Sequence, residues 1–196
     1  MDRIYSSSTV AYAAYSYCRP RPGPLMTLQA DYATERTFAG IIGALRSARL
    51  ECKLSQTALS SGLPVRGRAI SEWETGSIEP TMDHLLQWSF KLCRRLVIVG
   101  RDGVPFDRPI RQRPGESWLV FERRQLATPL KNRRRALGLT QEQLGEAIGV
   151  SRDSLSRWEL ARVPMRPIAL IIWAQKLGYS VALQPTLERR GLDKSS

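Results

Sequence analysis

The chain has 196 residues, 42% of them hydrophobic, and a formal net charge of +12 at pH 7. This length suits one ordinary domain or two small ones, and the hydrophobic share is enough to bury a core. The positive charge favours a polyanionic partner, because clustered Lys and Arg release counterions when they bind phosphates. A soluble protein that is merely basic is the alternative.

The composition supports neither a metalloprotein nor an enzyme. Cys18, Cys52 and Cys93 are far apart and lack the spacing of a zinc site or a disulfide framework, and His84 is the single histidine. There is no Gly-rich phosphate loop, no nucleophile elbow and no run of about 18 apolar residues that would span a bilayer. We therefore expect no enzymatic activity, no cofactor, no metal and no membrane association, and a reducing cytoplasm as the location.

Both ends of the chain are predicted to lack regular structure. The first 24 residues mix Tyr, Ser and Ala and then enter a Pro/Arg stretch, so we expect residues 1–35 to be a disordered tail. Tyr12, Tyr15 and Tyr17 interrupt the apolar run that a secretory signal needs. Both Met1 and Met26 are compatible with the true start, and residues 186–196 are predicted to be a flexible tail.

The main feature of the sequence is an internal repeat at an offset of 85 residues. Residues 45–100 align with residues 130–185 without a gap, and both Trp73 and Trp88 find a tryptophan at the same offset. The matched positions are mainly apolar and lie three, four or seven residues apart, as in helices that pack one face inward. Each repeat is therefore predicted to be a small helical domain, one in residues 36–100 and one in residues 126–185.

The second repeat contains the start and stop signals of two short helices. Thr140 and Gln143 form a capping box, so a helix is predicted to begin after Thr140. It ends at Gly149, and a second helix begins at Ser151, whose hydroxyl can cap the segment SRDSLSRWE. Two short helices joined by a tight turn follow from this pattern.

At this point both repeats resemble the Cro and phage-repressor (XRE) type of helix-turn-helix family. The resemblance rests on LKNRRRALGLTQEQLGEAIGVSRDSLSRWE in the second repeat and LRSARLECKLSQTALSSGLPVRGRAISEWETG in the first. It implies a mainly α fold of two tandem small helical bundles, in each of which the third helix enters the major groove of DNA.

Two departures from the family pattern concern the turns. Gly149 tolerates a positive φ, whereas the first repeat has Pro64 there, so its turn must be built differently. Ala161 replaces the glycine that Gly76 provides after the Trp-Glu pair. A positive φ would cost an alanine about 1 kcal/mol, so we expect the second loop to adopt another shape.

The geometry of a recognition helix selects candidates for reading DNA, because its first residues and one further turn face the base edges. Arginines can bind guanine and acidic residues can accept from cytosine, although Asp153 equally suits the positive end of a helix. The resemblance also implies that Gln56 and Gln141 contact phosphate or an outer base, with simple helix capping as the alternative. The candidates in the first repeat are Gln56, Arg66, Gly67, Arg68, Ala69 and Glu72, and those in the second are Gln141, Ser151, Arg152, Asp153, Ser154 and Arg157.

Other residues that recur at equivalent places in the two repeats are predicted to be structural. The resemblance places Arg49 with Glu74, and Arg134 with Glu159, as buried salt bridges between the first and third helices of each bundle. The four repeated tryptophans are predicted to lie in the core. Because the exposed side chains of the two recognition helices differ, we expect two non-identical half-sites.

Short strands are predicted after each bundle, at residues 96–99 and 181–183, and in the linker at residues 118–121. These strands are suited to pairing the two repeats or to joining two chains. The second bundle is predicted to open at Thr128, with Pro129 as its first helical residue. The linker, residues 101–125, would then span roughly 80 Å when extended, enough to reach two half-sites.

Together with the positive charge, the resemblance implies a sequence-specific regulator of transcription, expected to be a repressor, that binds double-stranded DNA in the cytoplasm of a bacterium or as a phage-encoded protein. An antitoxin-like protein or adaptor that mainly binds a protein partner is the alternative. Two recognition helices in one chain make a homodimer unnecessary without excluding it.

Overall fold

The computed structural model of the protein describes residues 28–106 and 110–186, so the predictions for residues 1–27 and 187–196 lie outside the described residues. Each repeat contributes four helices and one strand within this part of the chain. The elements are α1 (Tyr32–Glu51), α2 (Gln56–Ser60), α3 (Ala69–Glu74), α4 (Met82–Lys91), β1 (Arg94–Val99), α5 (Trp118–Ala136), α6 (Gln141–Ile148), α7 (Arg152–Glu159), α8 (Pro167–Lys176) and β2 (Ser180–Pro185).

The predicted mainly helical fold, with a strand after each bundle, is confirmed. Thr140 and Gln143 form the predicted capping box: the Thr140 hydroxyl accepts from the Gln143 N–H at 3.1 Å, and the Gln143 side chain accepts from the Thr140 N–H at 2.9 Å. Ser55 caps α2 in the equivalent place. The prediction of a tail up to residue 35 was wrong at its end, because Asp31 caps α1 and residues 32–35 form its first turn.

The first helix of the second repeat begins earlier than predicted. Ser117 is its N-cap, so residues 118–121 are helical and the predicted strand was wrong. Thr128 and Pro129, predicted to open the helix, lie inside it. The strand-favouring aromatic residues are overridden by tertiary packing, since Trp118 packs against Phe90 of α4 with ring centroids 4.9 Å apart.

Hydrogen bonds connect the end of the linker to α5. The Glu116 carboxylate accepts two hydrogen bonds from the Arg124 guanidinium, at 2.7 and 2.8 Å, and one from the Arg113 N–H at 3.0 Å. These bonds, first those from Arg124, lower the pKa of Glu116 to about 2. Because α5 begins at Trp118, the linker predicted at residues 101–125 was wrong at its end, and only residues 100–117 separate β1 from α5.

Three backbone positions adopt a left-handed conformation in both repeats, each with glycine in only one of them. Ala161 is one of these, so the expectation that its loop differs from that of Gly76 was wrong. The strain at alanine is accepted because the backbone is held by the same turn hydrogen bonds, from the N–H at 161 or 76 to the Trp carbonyl three residues earlier. The pairs, with their φ values, are Lys53 (54°) and Gly138 (68°), Gly76 (73°) and Ala161 (53°), and Cys93 (53°) and Gly178 (74°).

We expect Lys53→Gly to raise the free energy of unfolding by about 1 kcal/mol, because glycine takes this conformation without the clash of a Cβ atom. The matched change Gly138→Ala is expected to lower it by about the same amount, since no atom lies within 4 Å of the added Cβ and only the backbone conformation is penalised. Urea unfolding of the full chain measures both values. Equal stability of the two variants would contradict the expectation.

The strands join the repeats within one chain. β1 and β2 form an antiparallel two-stranded sheet in which Val97 pairs with Ala182, two residues that are equivalent by the 85-residue offset. Around this sheet, α1 packs against α8 and β2, and α5 packs against α4 and β1. The repeats therefore share one hydrophobic core, with Trp88 and Trp173 among its fully buried side chains.

Candidate nucleic-acid interface

A buried polar network attaches the last residue of α7 to the rest of the second repeat. The Arg134 guanidinium donates to both carboxylate oxygens of Glu159, at 2.6 and 3.0 Å, and to the Leu139 carbonyl at 2.6 Å. The Gln141 amide donates to the same carboxylate at 2.8 Å. The predicted salt bridge is confirmed, and it connects α5, α6 and α7.

The first repeat contains the same network. Arg49 donates to Glu74 at 2.6 and 2.8 Å and to the Leu54 carbonyl at 2.7 Å, and Gln56 donates to Glu74 at 2.8 Å. Burial opposes ionisation of Glu74, but the hydrogen bonds from Arg49 and Gln56 outweigh it and lower the pKa of the carboxyl below its ordinary value. Glu74 is therefore a carboxylate at neutral pH, and α3 is held in place by charge-assisted hydrogen bonds.

Sequence reasoning missed this role of Gln56 and Gln141. Their recurrence at the same offset as the Arg and Glu partners was the signal that pointed to it. Each amide uses one N–H on the glutamate and keeps a second N–H and a carbonyl oxygen. Their contact with phosphate or an outer base stays a prediction.

Helix α7 presents a polar face opposite its buried face. Ser151 caps it by accepting from the Ser154 N–H at 3.1 Å, and Gly149 in the preceding turn has a φ of 77°, as predicted. Leu155 is fully buried and anchors the inner face. The predicted DNA-reading residues of this repeat lie on the other side, where Ser151, Arg152, Asp153 and Arg157 are exposed and Ser154 is half-buried.

Helix α3 is shorter and enters differently. Its inner face buries Ile70 and Trp73, and the turn before it, which contains Pro64, uses no left-handed residue. The predicted residues of this repeat again lie outside the core: Arg66, Gly67 and Arg68 are exposed just before the helix, and Ala69 and Glu72 are half-buried within it.

We call residues 66–72 and 151–157 the recognition segments. Each of them carries one exposed ion pair between residues four positions apart. Arg68 Nε lies 2.9 Å from Glu72 Oε1, and Arg157 Nη2 lies 2.8 Å from Asp153 Oδ2. The two pairs occupy equivalent places, because residues 68 and 72 correspond to 153 and 157. The order of charge is opposite in the two repeats.

Two pairs of short helices, each with a buried inner face and an exposed polar second helix, define a DNA-binding protein. The family model described as Helix-turn-helix matches residues 45–89 and 130–184, slightly more than half of the chain. The chain belongs to this family, of the XRE type, and carries two copies of its motif. No curated protein and no solved structure shows a significant match.

The described residues also bear on whether the chain has a membrane-spanning helix or a metal site. None of its helices has the length and hydropathy that crossing a bilayer requires. Within residues 28–106 and 110–186, no three His, Cys, Asp or Glu side chains are close enough together to hold a metal ion.

Proposed function

We propose that this chain represses transcription by binding double-stranded DNA sequence-specifically, with α3 and α7 reading two non-identical half-sites. The observation that carries the proposal is the pair of exposed polar recognition segments, each fixed by a buried Arg-Glu-Gln network. The net charge of +12 supports it, since phosphate contacts supply much of the affinity of such proteins. Repression is proposed because the motif resembles that of the phage repressors, and activation is the alternative.

The residues proposed to contact DNA are those predicted from the sequence, and the chain is proposed to act without enzymatic activity. A cytoplasmic location, for a bacterial or phage-encoded protein, fits the free thiols of Cys52 and Cys93. The proposal needs no second chain, because both recognition helices lie in one chain and β1 and β2 pair with each other. Binding of a protein partner remains the alternative.

The proposal is tested by selecting bound sequences from random duplexes with the full chain. We expect one sequence to be enriched, and Arg152→Ala to weaken its binding about ten-fold, because an arginine that binds guanine is worth about 1–3 kcal/mol. The affinity should also fall steeply with salt.

Arg36→Ala is the matched control. Arg36 is exposed on α1, 13 residues and about 20 Å along the helix from Arg49, which contacts α3. We expect its affinity to stay within about two-fold of the unsubstituted chain, since a distant exposed charge contributes little. Enrichment of no sequence at low salt would overturn the proposal, and capture of a protein partner would then favour the alternative.

A further inference from the structure

The antiparallel pairing of β1 with β2 relates the two repeats by an approximate two-fold axis through the sheet. Val97 and Ala182 occupy equivalent places and pair with each other, and the neighbouring pair Leu96–Leu183 maps onto Ile98–Val181 when the repeats are exchanged. The helix contacts follow the same rule, because α1 on α8 and β2 corresponds to α5 on α4 and β1. The chain therefore has the internal symmetry of an isologous dimer.

Side-chain contacts between the repeats hold this arrangement. Thr34 Oγ1 donates to the Gln175 side chain at 2.7 Å, and Arg123 donates to Asp83 at 2.8 Å. Glu79, in the loop after α3, accepts from the Ile168 N–H at 3.1 Å and so caps α8, whose own N-cap residue offers no side-chain bond. The spacing of the two recognition helices is therefore set by packing and not by a flexible linker.

This symmetry restricts the DNA that both helices can contact at once. A rotation of 180° leaves the height of a point along the axis unchanged, so α3 and α7 lie at the same end of it. Duplex DNA has two-fold axes perpendicular to its length, and half-sites related by such an axis run in opposite directions. The arrangement thus fits inverted half-sites, whereas direct repeats would need a translation that the β1–β2 pairing does not provide.

The exposed ion pairs break this symmetry. Positions 68 and 153 are equivalent in the two repeats, but the first is Arg and the second is Asp. Four residues later the equivalent residues are Glu72 and Arg157, so the charges are again opposite. A guanidinium has five N–H donors, so each arginine keeps donors for guanine while its acidic partner limits its rotamers. Four helical residues span about 6 Å, which is about two base-pair steps.

We infer that one copy of this chain binds an inverted site whose two halves differ in the position of the guanine that is read, by about two base pairs. The reason is that the order of arginine and acidic residue is reversed between the two recognition segments. The inference rests on the proposed function. In the first half-site guanine faces Arg68. In the second, besides the guanine proposed for Arg152, whose equivalent in the first repeat is Gly67, guanine faces Arg157, one helical turn further along.

The test is an exchange of charge order in the first repeat, Arg68→Asp with Glu72→Arg, followed by selection from random duplexes. We expect the unsubstituted chain to select an inverted, asymmetric site, and the double variant to select a site with matching halves at these two positions. The double variant should bind the original site about ten- to hundred-fold more weakly. The reciprocal variant, Asp153→Arg with Arg157→Asp, is the matched control and should produce the opposite matching site.

All four side chains are at least partly exposed, so both variants are expected to unfold at the temperature of the unsubstituted chain, which circular dichroism checks. Four results would each overturn the inference while leaving DNA binding intact. They are half-sites in direct orientation, half-sites that are already identical at these two positions, two chains per site in sedimentation, and variants that select the same sequence as the unsubstituted chain. Enrichment of no sequence by the unsubstituted chain would instead reject the proposed function itself.

Discussion

Glu159→Gln is expected to lower the free energy of unfolding by about 3–5 kcal/mol. The carboxylate is almost fully buried and neutralises the guanidinium of Arg134, whose residue is only 7% exposed. Removing the negative charge leaves a buried cation that is hydrogen-bonded but not neutralised. The same carboxylate connects α5, α6 and α7, so recognition by α7 should also weaken. Urea unfolding followed by circular dichroism measures the change.

The double variant Arg134→Met with Glu159→Gln separates the charge effect from the loss of contacts. We expect it to be more stable than Glu159→Gln alone, because the stranded charge is then absent. Asp153→Asn is the surface control: its ion pair with Arg157 is exposed, and its removal should change stability by less than about 0.5 kcal/mol. A double variant no more stable than the single one would show that the buried charge is not the cause.

The parts of the fold that were predictable are those encoded by local patterns repeated twice. The capping box at Thr140, the glycine turn at Gly149 and the cap at Ser151 each satisfy backbone groups within a few residues, so a short window of sequence suffices. The Arg–Glu pairs were found because the repeat doubled the signal. The exposed faces of α3 and α7 followed from the same apolar template.

The parts that were missed depend on contacts between distant segments. The early start of α5 at Trp118 reflects packing on Phe90 of the other repeat, which local propensity does not encode. Ala161 keeps a left-handed backbone because the fold around it imposes the same loop as Gly76. The pairing of Val97 with Ala182, which defines the symmetry of the whole chain, joins residues 85 positions apart.

Trp173→Ala is expected to cost about 3–5 kcal/mol of stability, because it opens a cavity in the core that the repeats share. Trp173 is fully buried, and its ring lies 6.3 Å from that of Trp158 on α7. The cavity should therefore loosen the inner face of the recognition helix as well. Thermal and urea unfolding of the full chain give the magnitude.

Trp173→Phe tests a second effect at the same residue, that of the buried indole N–H. The indole N–H of Trp173 is buried and has no hydrogen-bond partner among the described residues, and the equivalent Trp88 is in the same condition. Phenylalanine removes this unsatisfied donor while it keeps most of the ring, so part of the lost packing is offset and we expect a cost of about 1–2 kcal/mol. Trp88→Phe should behave alike, because the symmetry of the fold places it in an equivalent environment. A loss as large as that of Trp173→Ala would mean that the N–H has a partner, such as a buried water.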